Sequence, residues 1–241
     1  MNTVCKHTLV LLLLIANATQ AQITAGKISY ERKTNLTKKF KDDDWAKDYF
    51  KVKTKVDEFE LYFNDTASVF IEKPTDVEER NDWATSKNEV YQNYTTHERL
   101  TIRSVWGEKF AITDTVKKRA WKITDSKRNI AGFNCRKAIW QSSDTSNLKM
   151  YAWYCNEIVP SIGPESFVGL PGAILGLATE DGGIVFFATK VETLNPNIKQ
   201  LWYKGKKKRY TTTEFKTAIT AQFGADKWFK RQMKELFGAW Q

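Results

Sequence analysis

Apolar and polar residues alternate along most of the chain in short runs broken by turn formers, the pattern of strands covered on one face. The run from Gly26 to Arg32 (GKISYER) reads as a first strand. Glu58 to Lys73 (EFELYFNDTASVFIEK) reads as a hairpin turning at Asn64-Asp65, since both residues tolerate turn conformations. Short alternating runs continue from Glu89 to Thr113, with Gly107 at a turn, and then through Arg119–Thr124 (RAWKIT). Residues 133–141 and 148–158 form a second hairpin around the polar stretch SSDTSN. Two apolar segments, AILGLATE and GIVFFATKVETL, meet at Asp181-Gly182-Gly183, a strong local hairpin signal. Strands at regular spacing without helical periods between them predict a mainly β protein: a curved antiparallel sheet or incomplete barrel with C-terminal helices.

Three stretches depart from that pattern. Residues 38–55 and 74–88 are charged and weakly periodic, and read as long loops or a short helix each. The Asp42–Asp44 run lacks the alternating ligand spacing and glycine turn of a calcium loop, so it reads as a solvated acidic turn. Near the C-terminus, Thr211 and Glu214 make a capping box before Phe215, Ala218, Ile219 and Phe223, which follow helical spacing. Gly224 ends this helix, and Asp226 caps a second one whose apolar face carries Trp228, Phe229, Met233 and Phe237.

Residues 1–21 have Lys6 ahead of a short apolar run, with Thr19 and Ala21 at the −3 and −1 positions of a cleavage site. This predicts a secretory signal peptide and a mature chain starting near Gln22. Cys5 precedes the apolar run, so no lipid attachment is expected there. Cleavage leaves Cys135 and Cys155 in an oxidising compartment. A hairpin centred on Thr145 sets position 135 directly opposite position 155, within reach of a bridge, and a Cys135–Cys155 disulfide is therefore expected.

A search for catalytic groups finds little. The mature chain has one histidine, His97, and no nucleophile elbow or glycine-rich phosphate loop. One histidine and a bridged cysteine pair cannot supply a four-ligand zinc site, so no metal or cofactor is expected. Glu60, Glu98, Glu157 and Glu165 are carboxylates without an assigned role. The stretch from Gly163 to Gly183 stands out instead: Gly169 and Gly172 bracket Leu170-Pro171, where proline presets one dihedral and glycine supplies positive φ. That is a structural corner entering an apolar strand.

The run FVGLPGAILGL resembles the signature of the GLPGLI family of secreted Bacteroidota proteins. The preceding YAWYCNEIVPSIGPESF, the upstream RAWKITDSKRNIAGFNCRKA, and the opening strands GKISYE and FELYFNDTASVF are similar to other family elements, collinearly over residues 26–194. Ala173 departs from the family's leucine, which implies a packing change, and Cys155 stands where other members need no cysteine. The resemblance implies a cell-envelope location and a β-rich fold. It brings no catalytic residue, because Gly169, Leu170, Pro171 and Gly172 are architectural types. It implies a non-catalytic binding or accessory protein that engages an outer-membrane protein, such as a TonB-dependent transporter encoded beside family members, or a hydrophobic ligand. The alternative is a periplasmic hydrolase using carboxylates or His97 in a β cavity.

Charge refines this picture. The formal charge of +10 suggests an acidic partner, but export and the absence of a recognition motif argue against nucleic acid. Residues 199–241 hold 11 Lys+Arg against 3 Asp+Glu, whereas residues 22–198 hold 26 against 25. The chain thus divides into a signal peptide (1–21), a nearly neutral β domain (22–198) and a basic helical element (199–241) packed on it. Lys204, Lys206, Lys207, Lys208, Arg209, Lys227, Lys230 and Arg231, interleaved with aromatic residues, are candidate contacts to a partner or an anionic membrane surface.

Overall fold

The computed structural model describes residues 22–76, 81–105, 107–142 and 148–223. The segment read as a signal peptide, the loop around Thr145, the second helix expected after Gly224, and Lys227, Lys230 and Arg231 lie outside them.

Two meanders build one sheet. The first runs through β1 (Gly26–Asn35), β2 (Thr54–Phe63), β3 (Ala67–Glu72), β4 (Glu89–Asn93), β5 (Glu98–Val105) and β6 (Glu108–Thr115). The second comprises β7 (Lys122–Ile130), β8 (Phe133–Gln141), β9 (Lys149–Cys155), β10 (Ala173–Thr179) and β11 (Ile184–Thr193). Antiparallel pairing of β1 with β11 joins them, and β12 (Arg209–Thr211) adds in parallel to β6. The order is β12-β6-β5-β4-β3-β2-β1-β11-β10-β9-β8-β7, an open twelve-stranded sheet rather than a closed barrel. The expected hairpins form where the turn chemistry placed them. Asn64 Oδ1 accepts from the amides of Thr66 (3.0 Å) and Ala67 (2.8 Å), closing the β2–β3 turn.

Helices are short and peripheral. The β1–β2 connection holds α1 (Leu36–Lys39) and α2 (Asp44–Tyr49), and a 3₁₀ turn covers Asp82–Ala84. After β11, α3 (Ile198–Leu201) packs against the convex face, where Ile198 meets Val69, Leu100 and Ala111. The chain then rounds the edge through β12 to α4 (Thr212–Phe223), whose Phe215 and Ile219 bury against Phe110 and Ile112 of the concave face. The capping box is present: Thr211 Oγ1 accepts from the Glu214 amide at 3.2 Å, and Glu214 Oε2 accepts from the Thr211 amide at 2.8 Å.

The expected disulfide is a correction. The β8–β9 register pairs Arg136 with Tyr154, which sets position 135 opposite 155 as anticipated, yet both cysteines are free, buried thiols. Each sulfur has a backbone partner of its own. Cys135 Sγ donates to the Phe133 carbonyl at 3.6 Å, and Cys155 Sγ accepts from the Glu157 amide at 3.3 Å. Burial pushes the Cys135 thiol up to about 12 and raises Cys155 as well, suppressing the thiolate that starts disulfide exchange. Cys135 and Cys155 are therefore expected to react with a thiol reagent in non-reducing denaturant, and neither of them on the native fold at neutral pH. A denatured protein showing no free thiol would contradict this.

Candidate functional site

The segment from Asn156 to Gly172 does not cross the surface as a loop; it drops into the concave face of the sheet. Ile158, Ile162, Phe167 and Leu170 are buried there against Tyr30, Phe59 and Phe70. Polar anchors hold the segment: Trp121 Nε1 donates to the Val168 carbonyl (3.0 Å), and the Gly169 amide donates to Ser161 Oγ (2.7 Å). The Tyr30 hydroxyl donates to the Ile174 carbonyl at 2.7 Å, where the segment becomes β10. The Gly169–Gly172 corner ends this plug. Gly169 and Gly172 have φ of 104° and 139°, and a Cβ on Gly172 would lie 2.0 Å from the Cys155 carbonyl oxygen. Leu170 is buried and Pro171 exposed, and the four residues make a tight corner. Ala173 is fully buried and pairs with Cys155 across β9–β10.

Beside the apolar plug, the concave face turns strongly polar. Cross-strand pairing sets Arg32 opposite Asp57 and Gln92 opposite Arg99. Arg32 donates to Asp57 Oδ2 through Nε (3.2 Å) and Nη2 (2.7 Å), and to the Ser86 carbonyl through Nη1 (2.6 Å). Lys55 Nζ donates to Asp57 Oδ1 at 2.6 Å. Glu165, a non-glycine residue at φ 53° and 4% exposed, enters from the plug. Its Oε1 lies 3.8 Å from Arg32 Nη1, and its Oε2 accepts from Asn88 Nδ2 at 3.1 Å. Arg119 Nη1 donates to the Ser166 carbonyl (2.9 Å), with its guanidinium 3.9 Å from the Phe167 ring centroid. Arg99 Nη2 donates to Asp114 Oδ2 at 3.1 Å. Between Arg99, Thr101 and Arg103 of β5, Glu165 and Ser166 of the plug and Thr212 of α4 lies a pocket of about 10 Å³. Burial pulls the Arg103 and Arg119 guanidinium groups down to about 10, still protonated at neutral pH.

A second feature sits at the end of the sheet where β1 and β2 connect. Phe40, Trp45, Tyr49, Phe50 and Trp83 form a mutual cluster, with Trp45 and Trp83 centroids 5.9 Å apart and Phe40 and Phe50 stacked at 5.1 Å. Phe40 is buried over Leu36, Ala46 and Ala84 and anchors the cluster. The outer rings face solvent: Trp45 is 49%, Tyr49 44% and Trp83 55% exposed. Lysines and aspartates of both signs surround them, including a Lys47–Asp44 pair at 2.9 Å.

Sequence-expected residues fall elsewhere. Lys204, Lys206, Lys207 and Lys208 are exposed on the strap linking α3 to β12, and Arg209, also exposed, is the first residue of β12. Their aromatic neighbours Trp202 and Tyr203 dock on Tyr91, 5.5 and 6.2 Å between centroids, while Arg209 pairs with Glu98 at 3.2 Å. His97 is exposed in the β4–β5 turn. Glu60 is held by Lys27 and Tyr62, and Glu165 by Arg32 and Asn88, so His97 and the carboxylates do not converge in one cleft. Among the described residues, no group of three or more His, Cys, Asp or Glu side chains is placed to hold a metal ion, and no helix is long and apolar enough to cross a membrane.

The fold and site thus define an open β half-barrel whose concave face is filled by its own chain and lined with buried arginines. A family model described as "Protein of unknown function (Porph_ging)", a family associated with Bacteroidota, matches residues 141–176, the stretch holding β9, the plug and the glycine corner. No curated protein matches the chain. Among solved structures, PNGF-II is similar with a TM-score of 0.55 and 16% identity, covering 80% of this chain and 32% of that one. The chain therefore spans about a third of the length of PNGF-II, and the likeness shows a shared fold. Weaker likenesses are an uncharacterized conserved protein from Thermus thermophilus (TM-score 0.42, 8% identity, 84% and 99% coverage) and the Pseudomonas aeruginosa MucA/MucB complex (0.41, 8%, 76% and 57%).

Proposed function

We propose that this chain is a non-catalytic binding or accessory protein of the cell envelope, at the periplasmic face of the outer membrane, which docks through its aromatic end onto an outer-membrane protein. A TonB-dependent transporter is the partner class that the resemblance to GLPGLI proteins suggests. The observation that carries the reading is the Trp45–Tyr49–Trp83 surface. Half-exposed tryptophans and a tyrosine, fixed in place by buried Phe40, have the composition of interface anchors. Their rim carries both charge signs, which suits a protein surface better than a uniformly anionic lipid face. A hydrophobic ligand inside the sheet is disfavoured because Ile158, Ile162, Phe167 and Leu170 fill the apolar part of the concave face. The exposed Lys204–Lys208 strap then serves as a secondary contact.

The test is a Trp45→Ala/Trp83→Ala variant assayed against outer-membrane proteins of the producing organism by site-specific photo-crosslinking. Recovery of the wild-type partner is expected to fall roughly 30-fold, the loss of about 2 kcal/mol that truncating interface anchors brings. Half-exposed rings contribute little to folding, so stability is expected to change by only about 1–2 kcal/mol. An unchanged cross-link, or binding to anionic vesicles in place of protein, would sink the reading.

A further inference from the structure

We propose that the buried network of Arg32, Asp57, Thr85, Asn88 and Glu165 is the positioning device of the aromatic surface: it fixes the arm from Asp82 to Asn88, and so holds Trp83 against the rings of the β1–β2 connection. The inference rests on the docking role given to that surface, and it names the residues that keep the surface in shape.

The surface is assembled from two segments far apart in the chain. Phe40, Trp45, Tyr49 and Phe50 come from the connection that holds α1 and α2, whereas Trp83 comes from the β3–β4 connection. The Trp83 ring centroid lies 5.8 Å from those of Phe40 and Phe50 and 5.9 Å from those of Trp45 and Tyr49. Its place decides whether the rings make one surface or fall apart into two patches.

The arm is held from inside the sheet. Past the 3₁₀ turn at Asp82–Ala84 it has no regular secondary structure before β4. Thr85 Oγ1 donates to Asp57 Oδ1 at 3.1 Å, the Ser86 carbonyl accepts from Arg32 Nη1 at 2.6 Å, and Asn88 Nδ2 donates to Glu165 Oε2 at 3.1 Å. Asp82 adds a longer contact, 3.7 Å from Lys55 Nζ, so ties lie on both sides of Trp83. Arg32, Asp57, Thr85, Asn88 and Glu165 are all buried, and bonds shielded from water fix geometry better than surface pairs do. Apolar contact from the arm is small by comparison: Ala84 packs over Leu36, Phe40 and Ala46, and the indole beside it is half exposed.

The network continues into the plug. Glu165 takes φ 53°, a conformation that non-glycine residues keep only where their surroundings impose it, and from there its oxygens face Arg32 and Asn88. The segment that fills the concave face thereby reaches the docking surface. A ring fixed before contact loses less freedom on binding, which is what a buried network gives an exposed anchor.

The test follows Trp83 by fluorine NMR of the full chain labelled with fluorotryptophan, its resonance assigned with Trp83→Phe. In the wild type this resonance is expected away from its position in urea, displaced by the neighbouring rings. Thr85→Val/Asn88→Ala removes two of the ties and is expected to move it most of the way to the unfolded position, while the resonances of Trp121 and Trp140, which pack on each other, stay in place. Thr85→Ser keeps the hydroxyl and is expected to keep the wild-type resonance. A wild-type resonance already at the unfolded position, a Trp83 resonance unmoved in the double variant, or one that moves only together with those of Trp121 and Trp140, overturns the inference. If the double variant does not fold, Thr85→Val alone is judged by the same criteria. Photo-crosslinking to the outer-membrane partner separates the two readings. A displaced ring with recovery down about tenfold supports both; a displaced ring with recovery unchanged overturns the docking surface and leaves the positioning network standing.

Discussion

Replacing Gly172 by alanine is expected to destabilise the protein by about 3–5 kcal/mol, combining the strain of a side chain at positive φ with overpacking against fixed backbone. The reason lies in the route of the chain. At φ 139° Gly172 turns the plug into β10 while passing the Cys155–Asn156 peptide so closely that a Cβ would fall 2.0 Å from the Cys155 carbonyl oxygen and 2.8 Å from its carbon. Both groups are backbone, and Ala173 is already paired to Cys155 in the sheet, so neither side can yield without breaking the β9–β10 ladder. A single domain commonly has about 5–15 kcal/mol in hand, so most of the margin would go. Urea unfolding followed by tryptophan fluorescence measures this. Pro171→Ala, at the exposed neighbouring position, is the control and is expected to cost less than about 1 kcal/mol. A Gly172→Ala midpoint equal to that of Pro171→Ala would mean the corner is not built as described.

The glycine corner was legible in the sequence because its chemistry is local: Gly-Leu-Pro-Gly prescribes a turn whatever surrounds it. The same holds for the Asn64 turn, for the Thr211/Glu214 capping box and for the register that sets position 135 opposite 155. Thiol state was not legible, because it depends on where each sulfur points and on which backbone group holds it. The buried arginines were hidden for a further reason. In β5, Arg99, Thr101 and Arg103 alternate with Leu100 and Ile102, and alternation alone assigns the polar face to solvent. That face is instead the concave one, covered by the plug some 60 residues later and by α4 after that. Only tertiary packing turns an ordinary amphipathic strand into one buried on both faces. The aromatic end was half visible, since Trp45, Tyr49 and Phe50 are neighbours in a stretch already set apart as charged and irregular. Its fifth ring, Trp83, comes from the β3–β4 connection, and no local pattern joins the two segments.

Asp57→Asn is expected to cost about 3–5 kcal/mol near neutral pH, the usual consequence of leaving a buried partner charge uncompensated. Asp57 is 4% exposed and is the hub of the network, accepting from Arg32, Lys55 and Thr85, while Arg32 also reaches Glu165 in the plug. Without its charge, Lys55 and Arg32 stay buried with their shared counter-charge gone, while Glu165 near Arg32 and the rim residue Asp82, 3.7 Å from Lys55, are carboxylates that remain beside them among the described residues. The pH dependence separates lost charge from lost packing. Burial alone would raise the Asp57 carboxyl, but Arg32 and Lys55 outweigh it and hold the group below its usual value. Its folded value therefore lies beneath the unfolded one, near ~4, and the stabilisation it contributes is fully present above ~4. It drains away as pH falls through the lower folded value, when wild type and variant both carry an uncharged group at this position. Urea unfolding at a series of pH values should show a constant gap between the two proteins from neutrality down to about pH 5, and a narrowing gap below ~4. A gap equally wide at the most acidic pH would show that Asp57 holds the fold by shape and hydrogen bonding, and that its pairing with Arg32 and Lys55 adds nothing.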